Sequence, residues 1–189
     1  MSRILLAAGL LPLTALVACS VEASSASSAS DDVPTGVAEQ YTVLAEEVEE
    51  NGGQAESGEW TVSYIVEAAE PWFESHEGDQ HFREPAEGET HHIEIIPQET
   101  GTGRIVPDVP ITLQVVDADG QVVDEKELNF LHSTFFHYAN NFEVPEDGTY
   151  TLRATLGAPS FARHGEQGDE PALSEGTEVE FEDVELTQQ

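Results

Sequence analysis

Short strand-like segments, rich in β-branched and aromatic residues, recur through most of the chain and constrain its fold most strongly. They lie at 60–66, 92–96, 109–116, 121–130, 142–144, 150–156 and 179–184. In such segments alternate side chains point to opposite faces of a sheet. About seven short strands with turns between them, such as Asp117-Ala118-Asp119-Gly120, predict an all-β fold, an immunoglobulin-like β-sandwich.

The segment before residue 58 has a different period. Apolar residues recur at helical spacing at Val37, Tyr41, Leu44 and Val48. Asn51-Gly52-Gly53 ends this pattern, because glycine disfavours a continuing helix. The sequence therefore predicts a short helix and linker at 37–57, followed by the β domain at 58–189.

The N-terminus has the pattern of an export signal. An apolar stretch at 4–17 follows Met1-Ser2-Arg3 and is too short to span a membrane. It ends in Ala18-Cys19-Ser20, which is typical of a bacterial lipobox, and a plain secretory signal is the alternative. The pattern predicts a lipoprotein signal peptide at 1–18, lipidation of Cys19 and a flexible Ser/Ala-rich tether at 19–36. The protein would be exported and lipid-anchored, at the outer face of the cell membrane or in the periplasm.

The formal net charge of -32, from 6 basic and 38 acidic residues, excludes several partners. It repels nucleic-acid phosphates and anionic membrane surfaces. The single cysteine excludes a disulfide framework and a cysteine-based zinc finger. Two interpretations of the acidity stay open: a solvated surface of halophile type, or a field that concentrates cations.

The seven histidines are the residues most suited to chemistry in this chain. In His92-Ile93-Glu94 the imidazole and the carboxylate share one face of a strand, which favours half of a metal site. A chance pair of surface residues is the alternative. The polar loop at 74–81, with His76 and His81, is either a weaker cation site or a solvated loop.

Two further stretches contain histidines in an unusual context. Residues 130–141 are rich in aromatic side chains and include His132 and His137. They form either a loop that covers the core or a loop that carries ligands into a partly dry pocket. Phe161-Ala162-Arg163-His164 follows a Gly-Ala-Pro break and is the third candidate.

Five short motifs occur in an order in which the chain resembles the periplasmic Fe²⁺-transport (FetP-like) family over about residues 58–187. They are His92-x-Glu94, Val106-Pro107, His137-Tyr138-x-x-Asn141, Gly148-x-Tyr150 and Phe161-x-Arg163-His164. The resemblance implies an exported, immunoglobulin-like, homodimeric metal-binding protein that works beside an iron permease. It also implies copper and/or iron as the bound ion.

The resemblance implies four metal ligands: His92, Glu94, His137 and His164. Phe130 stands where the family has a ligand methionine, and the only methionine of this chain is Met1.

A thioether ligand is therefore excluded, and His132 is our candidate replacement. Phe130, Tyr138 and Arg163 are expected to lie next to the site, and Arg163 would pair with Glu94 or another acid, or cap a strand.

The favoured function is a metal-binding component of iron uptake that passes iron to a membrane permease and is not an enzyme. One alternative is a redox protein that interconverts ferric and ferrous iron, and another is a structural acidic β-sandwich lipoprotein without a metal. Metal-independent hydrolysis is disfavoured, because the chain has no Gly-x-Ser-x-Gly motif and no cysteine nucleophile once Cys19 is lipidated.

Overall fold

A computed structural model describes residues 33–188 of the chain. The predicted signal peptide, the lipidation site Cys19 and most of the predicted tether lie outside these residues and stay predictions. Within the described residues, no helix is both long enough and apolar enough to cross a membrane.

One helix and eleven strands follow one another along the chain. They are α1 (Thr35–Asn51), β1 (Gly52–Ser57), β2 (Trp60–Ala68), β3 (Trp72–His76), β4 (Asp79–Arg83), β5 (His91–Glu99), β6 (Ile111–Val116), β7 (Val122–Glu127), β8 (Asn129–His132), β9 (Phe136–Phe142), β10 (Gly148–Leu156) and β11 (Thr177–Leu186). A five-stranded sheet has the order β1-β2-β5-β9-β8, and a four-stranded sheet has the order β11-β10-β6-β7. Strands β3 and β4 form a separate hairpin.

The two larger sheets enclose one apolar core, which confirms the predicted β-sandwich. The core includes Val62, Ile93, Ile95, Tyr138 and Phe142 from the five-stranded sheet and Leu113, Val115, Leu152, Ala154 and Phe181 from the four-stranded sheet. All neighbouring strands in both sheets pair antiparallel. This arrangement is the one expected for a sandwich of short, turn-connected strands.

The sheet begins earlier in the chain than the sequence predicted. Helix α1 starts at Thr35, and the predicted linker from Gly52 onward is strand β1, paired with β2. Gly52 marks the change from helix to strand, because a Cβ there would overlap the Tyr64 carbonyl oxygen. A strand of Gly, Gln, Ala, Glu and Ser has little β-propensity, so pairing with β2 rather than sequence preference defines it.

Two stretches that the sequence analysis treated as loops are strands. The aromatic stretch at 130–141 forms most of β8 and β9, which pair with each other. The polar stretch at 74–81 contains the end of β3, a two-residue turn and the start of β4. Strand β9 is buried on both faces over most of its length, so it lacks the polar alternation that identifies a half-exposed strand.

Helix α1 covers the outer face of the five-stranded sheet, which is the face turned away from the sandwich core. Leu44 packs there with Ile65 of β2, Ile96 of β5 and Phe135 in the β8–β9 connection. The five-stranded sheet is thus buried on both faces near its centre. This second apolar cluster adjoins the cleft described below, which α1 also lines.

Replacing Leu44 by Ala should test whether α1 is packed on the sheet. We expect a loss of about 2–4 kcal/mol in the free energy of unfolding, measured by chemical denaturation, because the change removes a buried side chain and leaves a cavity. Val37→Ala, at an exposed position of the same helix, should change it by about 0.5 kcal/mol or less. Equal losses for the two variants would contradict this packing.

Candidate metal centre

The outer face of the five-stranded sheet brings together three of the predicted metal ligands. His92 and Glu94 lie two residues apart on β5, and His137 lies on the neighbouring strand β9. The register pairs Glu94 with Ala139, two residues from His137, so all three side chains share one face. The intervening Ile93 points to the sandwich core, as the sequence predicted.

The ligand atoms of these three residues converge. The Nε2 atom of His137 lies 3.4 Å from Oε1 of Glu94, and the Nε2 atom of His92 lies 4.0 Å from the same oxygen. All three candidate atoms lie within 4.8 Å of one another. A divalent ion at roughly 2.0–2.2 Å from each atom would hold them about 3–4 Å apart, so the cluster needs only a small contraction.

Both imidazoles are oriented by a hydrogen bond on the ring nitrogen that faces away from Glu94. The Nδ2 amide of Asn141 donates to the Glu70 carbonyl oxygen at 2.8 Å, which assigns the Asn141 Oδ1 atom as an acceptor. His92 therefore donates from Nδ1 to that oxygen at 2.8 Å. His137 donates from Nδ1 to the Phe135 carbonyl oxygen at 3.4 Å. These hydrogen bonds direct Nε2 of each ring to the cluster, the orientation that a metal-binding histidine has.

A second buried carboxylate holds Asn141 in place. Glu89 accepts hydrogen bonds from Arg83 at 2.7 Å and from Lys126 at 3.0 Å. Lys126 also donates to the Asn141 carbonyl oxygen at 2.6 Å. Burial alone would raise the pKa of Glu89, but the hydrogen bonds from Arg83, the Ala86 amide and Lys126 lower it to about 2. Glu89 is therefore a stable anion with matched cations.

Glu94 and His137 of the cluster line a cleft of about 590 Å³ that is rich in acidic side chains. Three carboxylates line it besides Glu94: Glu47 from α1, Glu67 from β2 and Glu70 from the β2–β3 connection. Glu67 lies directly opposite His92 in the sheet register. Among the described residues, no lysine or arginine forms an ion pair with these three carboxylates.

The electrostatics of the cluster differ sharply from those of Glu89. Burial, and then the charges of Glu67, Glu47 and Glu70, raise the pKa of Glu94 to about 8. Burial, and then the neighbouring His92, lower the pKa of His137 to about 4. At neutral pH without metal, Glu94 is therefore protonated and His137 is neutral, so their contact is not a salt bridge.

This donor set suits a divalent transition metal. The Oε2 atom of Glu94 is buried and has no hydrogen-bond partner among the described residues. A buried polar atom without a partner is costly, and a bound cation would supply the missing interaction. Two imidazoles and one carboxylate match the ligand preferences of Cu(II), Fe(II) and Zn(II).

The other two predicted ligands are not part of the cluster within one chain. His132 lines the same cleft, but it is exposed and its ring packs against Phe136 at 4.6 Å. His164 lies in the connection between β10 and β11 and lines a different pocket, together with Arg104 and Phe161. Their roles as ligands stay predictions.

The residues expected beside the site are divided between several places. Phe130 lines the cleft and stacks on Phe136, with ring centres 5.2 Å apart. Tyr138 lies instead in the sandwich core, where its hydroxyl donates to the Val106 carbonyl oxygen and accepts from the Val109 amide.

Arg163 does not pair with Glu94 or with any other acid of the described chain. Its guanidinium donates to backbone carbonyl oxygens, including those of Ala172 at 2.6 Å and Leu173 at 2.7 Å. It therefore fixes the long β10–β11 connection. The expectation of an ion pair with Glu94 was wrong, because these carbonyl groups use the guanidinium donors.

Several residues of the site were missed by the sequence analysis. Asn141 was noted only as part of a motif, although its even spacing from His137 on a strand places it on the same face. Trp72 packs against His92, with ring centres 5.9 Å apart, and also lines the cleft. Glu47 and Glu67 gave no signal, because acidic residues occur throughout this sequence.

The raised pKa of Glu94 predicts a distinctive pH dependence of stability. The pKa of Glu94 is about 8 in the folded protein, against 4.5 ordinarily. The free energy of unfolding therefore decreases as pH rises between these values, because the unfolded state releases the proton more readily. With a chelator present, we expect Glu94→Gln to become more stable than wild type by roughly 2–4 kcal/mol across that range. Denaturation at several pH values measures this difference.

The matched control is Glu46→Gln, which removes an exposed carboxylate of α1. Its stability relative to wild type should stay nearly constant with pH. A Glu94→Gln curve parallel to that of wild type would contradict a protonated Glu94.

Several solved structures are similar in fold to most of this chain. The FetP protein of uropathogenic Escherichia coli strain F11 is 19% identical, with a TM-score of 0.56, and the match covers 72% of this chain and 96% of FetP. A copper-bound variant of that protein matches at 15% identity and a TM-score of 0.58, covering 73% of this chain and 91% of the variant. Copper-reconstituted P19 of Campylobacter jejuni matches at 16% identity and a TM-score of 0.56, and the match covers 73% of this chain and 97% of P19.

These likenesses show the fold, and no curated protein matches the chain. The family model described as Fe²⁺ transport protein matches residues 43–186, which include α1 in part and every strand. This span contains His92, Glu94, His137 and Asn141. The chain belongs to the Fe²⁺ transport protein family.

Proposed function

We propose that this protein binds a divalent metal ion at His92, Glu94 and His137 and serves iron uptake. The observation that carries the proposal is the buried Glu94 carboxyl group, which faces two imidazoles and has one oxygen without a partner among the described residues. No lysine or arginine of the described chain forms an ion pair with it. A metal ion would displace its proton and satisfy both carboxylate oxygens.

Copper and iron are the ions we propose. The ligand types suit Cu(II) and Fe(II), and the chain has no methionine apart from Met1 that would favour Cu(I). The family description supports iron, and the related FetP and P19 proteins have been crystallised with copper. The acidic side chains of the cleft would concentrate such cations at its mouth.

Three ligands leave coordination positions open, and two predicted ligands are available to fill them. His132 lies on the cleft and is exposed, so a change of rotamer would bring it closer. His164 lines another pocket of the same chain, so we propose that a second copy in a homodimer supplies it. Open positions also suit a protein that must release its ion.

We further propose that the protein is exported, anchored through lipidated Cys19, and passes iron to a permease in the cytoplasmic membrane. Its role would be binding and transfer without catalytic turnover. The lipobox-like sequence and the family membership support this role. Release is helped by Glu94, since its high pKa without metal makes protons compete with the ion, and affinity therefore falls as pH drops.

Metal titration of the full-length protein tests the proposal. With Cu(II), and with Fe(II) under anaerobic conditions, at pH 7.5 and with competing chelators, we expect one tight site per chain. His137→Ala should weaken it by at least about 100-fold, because the variant removes a ligand and leaves Glu94 facing one imidazole. Glu46→Gln, which removes an exposed carboxylate that does not line the cleft, should leave the tight site unchanged. Absence of tight binding of either ion would refute the proposal.

The support of His92 by Asn141 gives a second prediction. Asn141→Ala removes the acceptor that fixes the His92 ring, so metal affinity should fall by about 10–100-fold while the ligands remain. The neighbouring Asn140 is the control, since its amide donates to the Glu127 carbonyl oxygen and does not contact the cluster. Equal affinities for Asn141→Ala and Asn140→Ala would show that His92 needs no such support.

A further inference from the structure

The β3–β4 hairpin presents a second set of metal-binding side chains. Its two-residue turn consists of Glu77 and Gly78, both with positive φ, at 53° and 95°. Such a turn fixes the register of the two strands closely. Glu74 lies opposite His81, and His76 lies opposite Asp79.

This register places four potential ligands on one face of the hairpin. Glu74 and His76 are two residues apart on β3, so they share a face, and their cross-strand partners His81 and Asp79 share it too. The opposite face has a different character. There Phe73 and Phe82 pack against each other, with ring centres 5.0 Å apart.

Two contacts on the polar face bring these side chains close to one another. His76 Nε2 lies 3.1 Å from Oε2 of Glu74. The His76 and His81 ring centres are 5.8 Å apart. In a metal site, each imidazole nitrogen lies about 2.0–2.1 Å from the ion, and the ring centre lies roughly 1.1 Å farther away. Two imidazoles that bind one ion therefore have ring centres up to about 6.4 Å apart.

From this arrangement we propose that Glu74, His76 and His81 bind a divalent transition-metal ion at the hairpin tip. Both histidines are exposed, so rotation of their side chains suffices to bring the nitrogens onto one ion. Asp79 lies beside them and adds a carboxylate. Imidazole ligands select Cu(II), Zn(II) or Ni(II) over Ca²⁺ and Mg²⁺.

The hairpin site should be the weaker of the two sites in this protein. In the described chain, only His92, Glu94 and His137 have ligand atoms that already converge within 4.8 Å. The hairpin side chains must lose rotamer freedom on binding, and water competes for the ion. Glu74 is also shared with Arg83, whose Nε lies 3.5 Å from the other carboxylate oxygen.

Cu(II) titration of the full-length protein, followed by electron paramagnetic resonance, tests this site. Wild type should bind two ions per chain, and His76→Ala/His81→Ala should bind one fewer. In the His92→Ala/His137→Ala background, one ion with imidazole-nitrogen hyperfine coupling should remain. Adding the two hairpin substitutions should weaken that ion by at least about 10-fold and remove the coupling. Ser75→Ala/Gln80→Ala, on the opposite face of the hairpin, is the matched control and should change nothing.

The outcomes separate this inference from the function proposed above. If the central cluster bound no metal, the hairpin substitutions would still remove one ion, and this inference would stand. The inference fails if Cu(II) stoichiometry and hyperfine coupling are the same with and without His76 and His81. Because these side chains are exposed, the hairpin variant should fold, which circular dichroism verifies.

Discussion

The contact between the buried Glu94 carboxyl group and two imidazoles is the constraint on which the rest of the site depends. Without a cation, an ionised carboxylate in this position is unfavourable, and the group holds a proton instead. Two strands fix its neighbours in register, and α1 and Trp72 contribute to the walls of the cleft around it. The fold therefore maintains a buried group of donor atoms that suits a positive ion.

The two buried carboxyl groups of this region, Glu89 and Glu94, have opposite electrostatic surroundings. Glu89 receives Arg83 and the only lysine, Lys126, and its pKa is lowered to about 2. Glu94 receives neither, and burial together with three further carboxylates raises its pKa to about 8. The whole sequence has only 6 basic residues, and two of them pair with Glu89. The Glu89 group stabilises structure by holding Asn141, whereas the Glu94 group is left available for a metal.

The sequence predicted the fold class and part of the candidate metal site. Alternating segments identified β2, β6, β10 and β11, and the fold class was confirmed. The period-two rule also placed His92 and Glu94 on one face. The sheet begins at Gly52 and not at residue 58 as predicted, since β1 is defined by its pairing with β2. The stretch at 130–141 forms most of β8 and β9, and burial of β9 on both faces hid its strand pattern.

The remaining site residues depend on contacts between distant segments, which no local pattern contains. Asn141 matters because its side chain reaches both His92 and the backbone of Glu70. Glu47 reaches the cleft only because α1 packs across the sheet. Arg163 was expected near Glu94, but it bonds to carbonyl groups of its own loop.

The most direct measurement is anomalous diffraction from crystals of the full-length protein grown with Cu(II). The account predicts an anomalous peak within about 2.0–2.3 Å of His92 Nε2, His137 Nε2 and a Glu94 carboxylate oxygen. The peak should be absent from crystals of His137→Ala. A copper ion bound only elsewhere on the chain, with Glu94 still facing two unliganded imidazoles, would contradict the account.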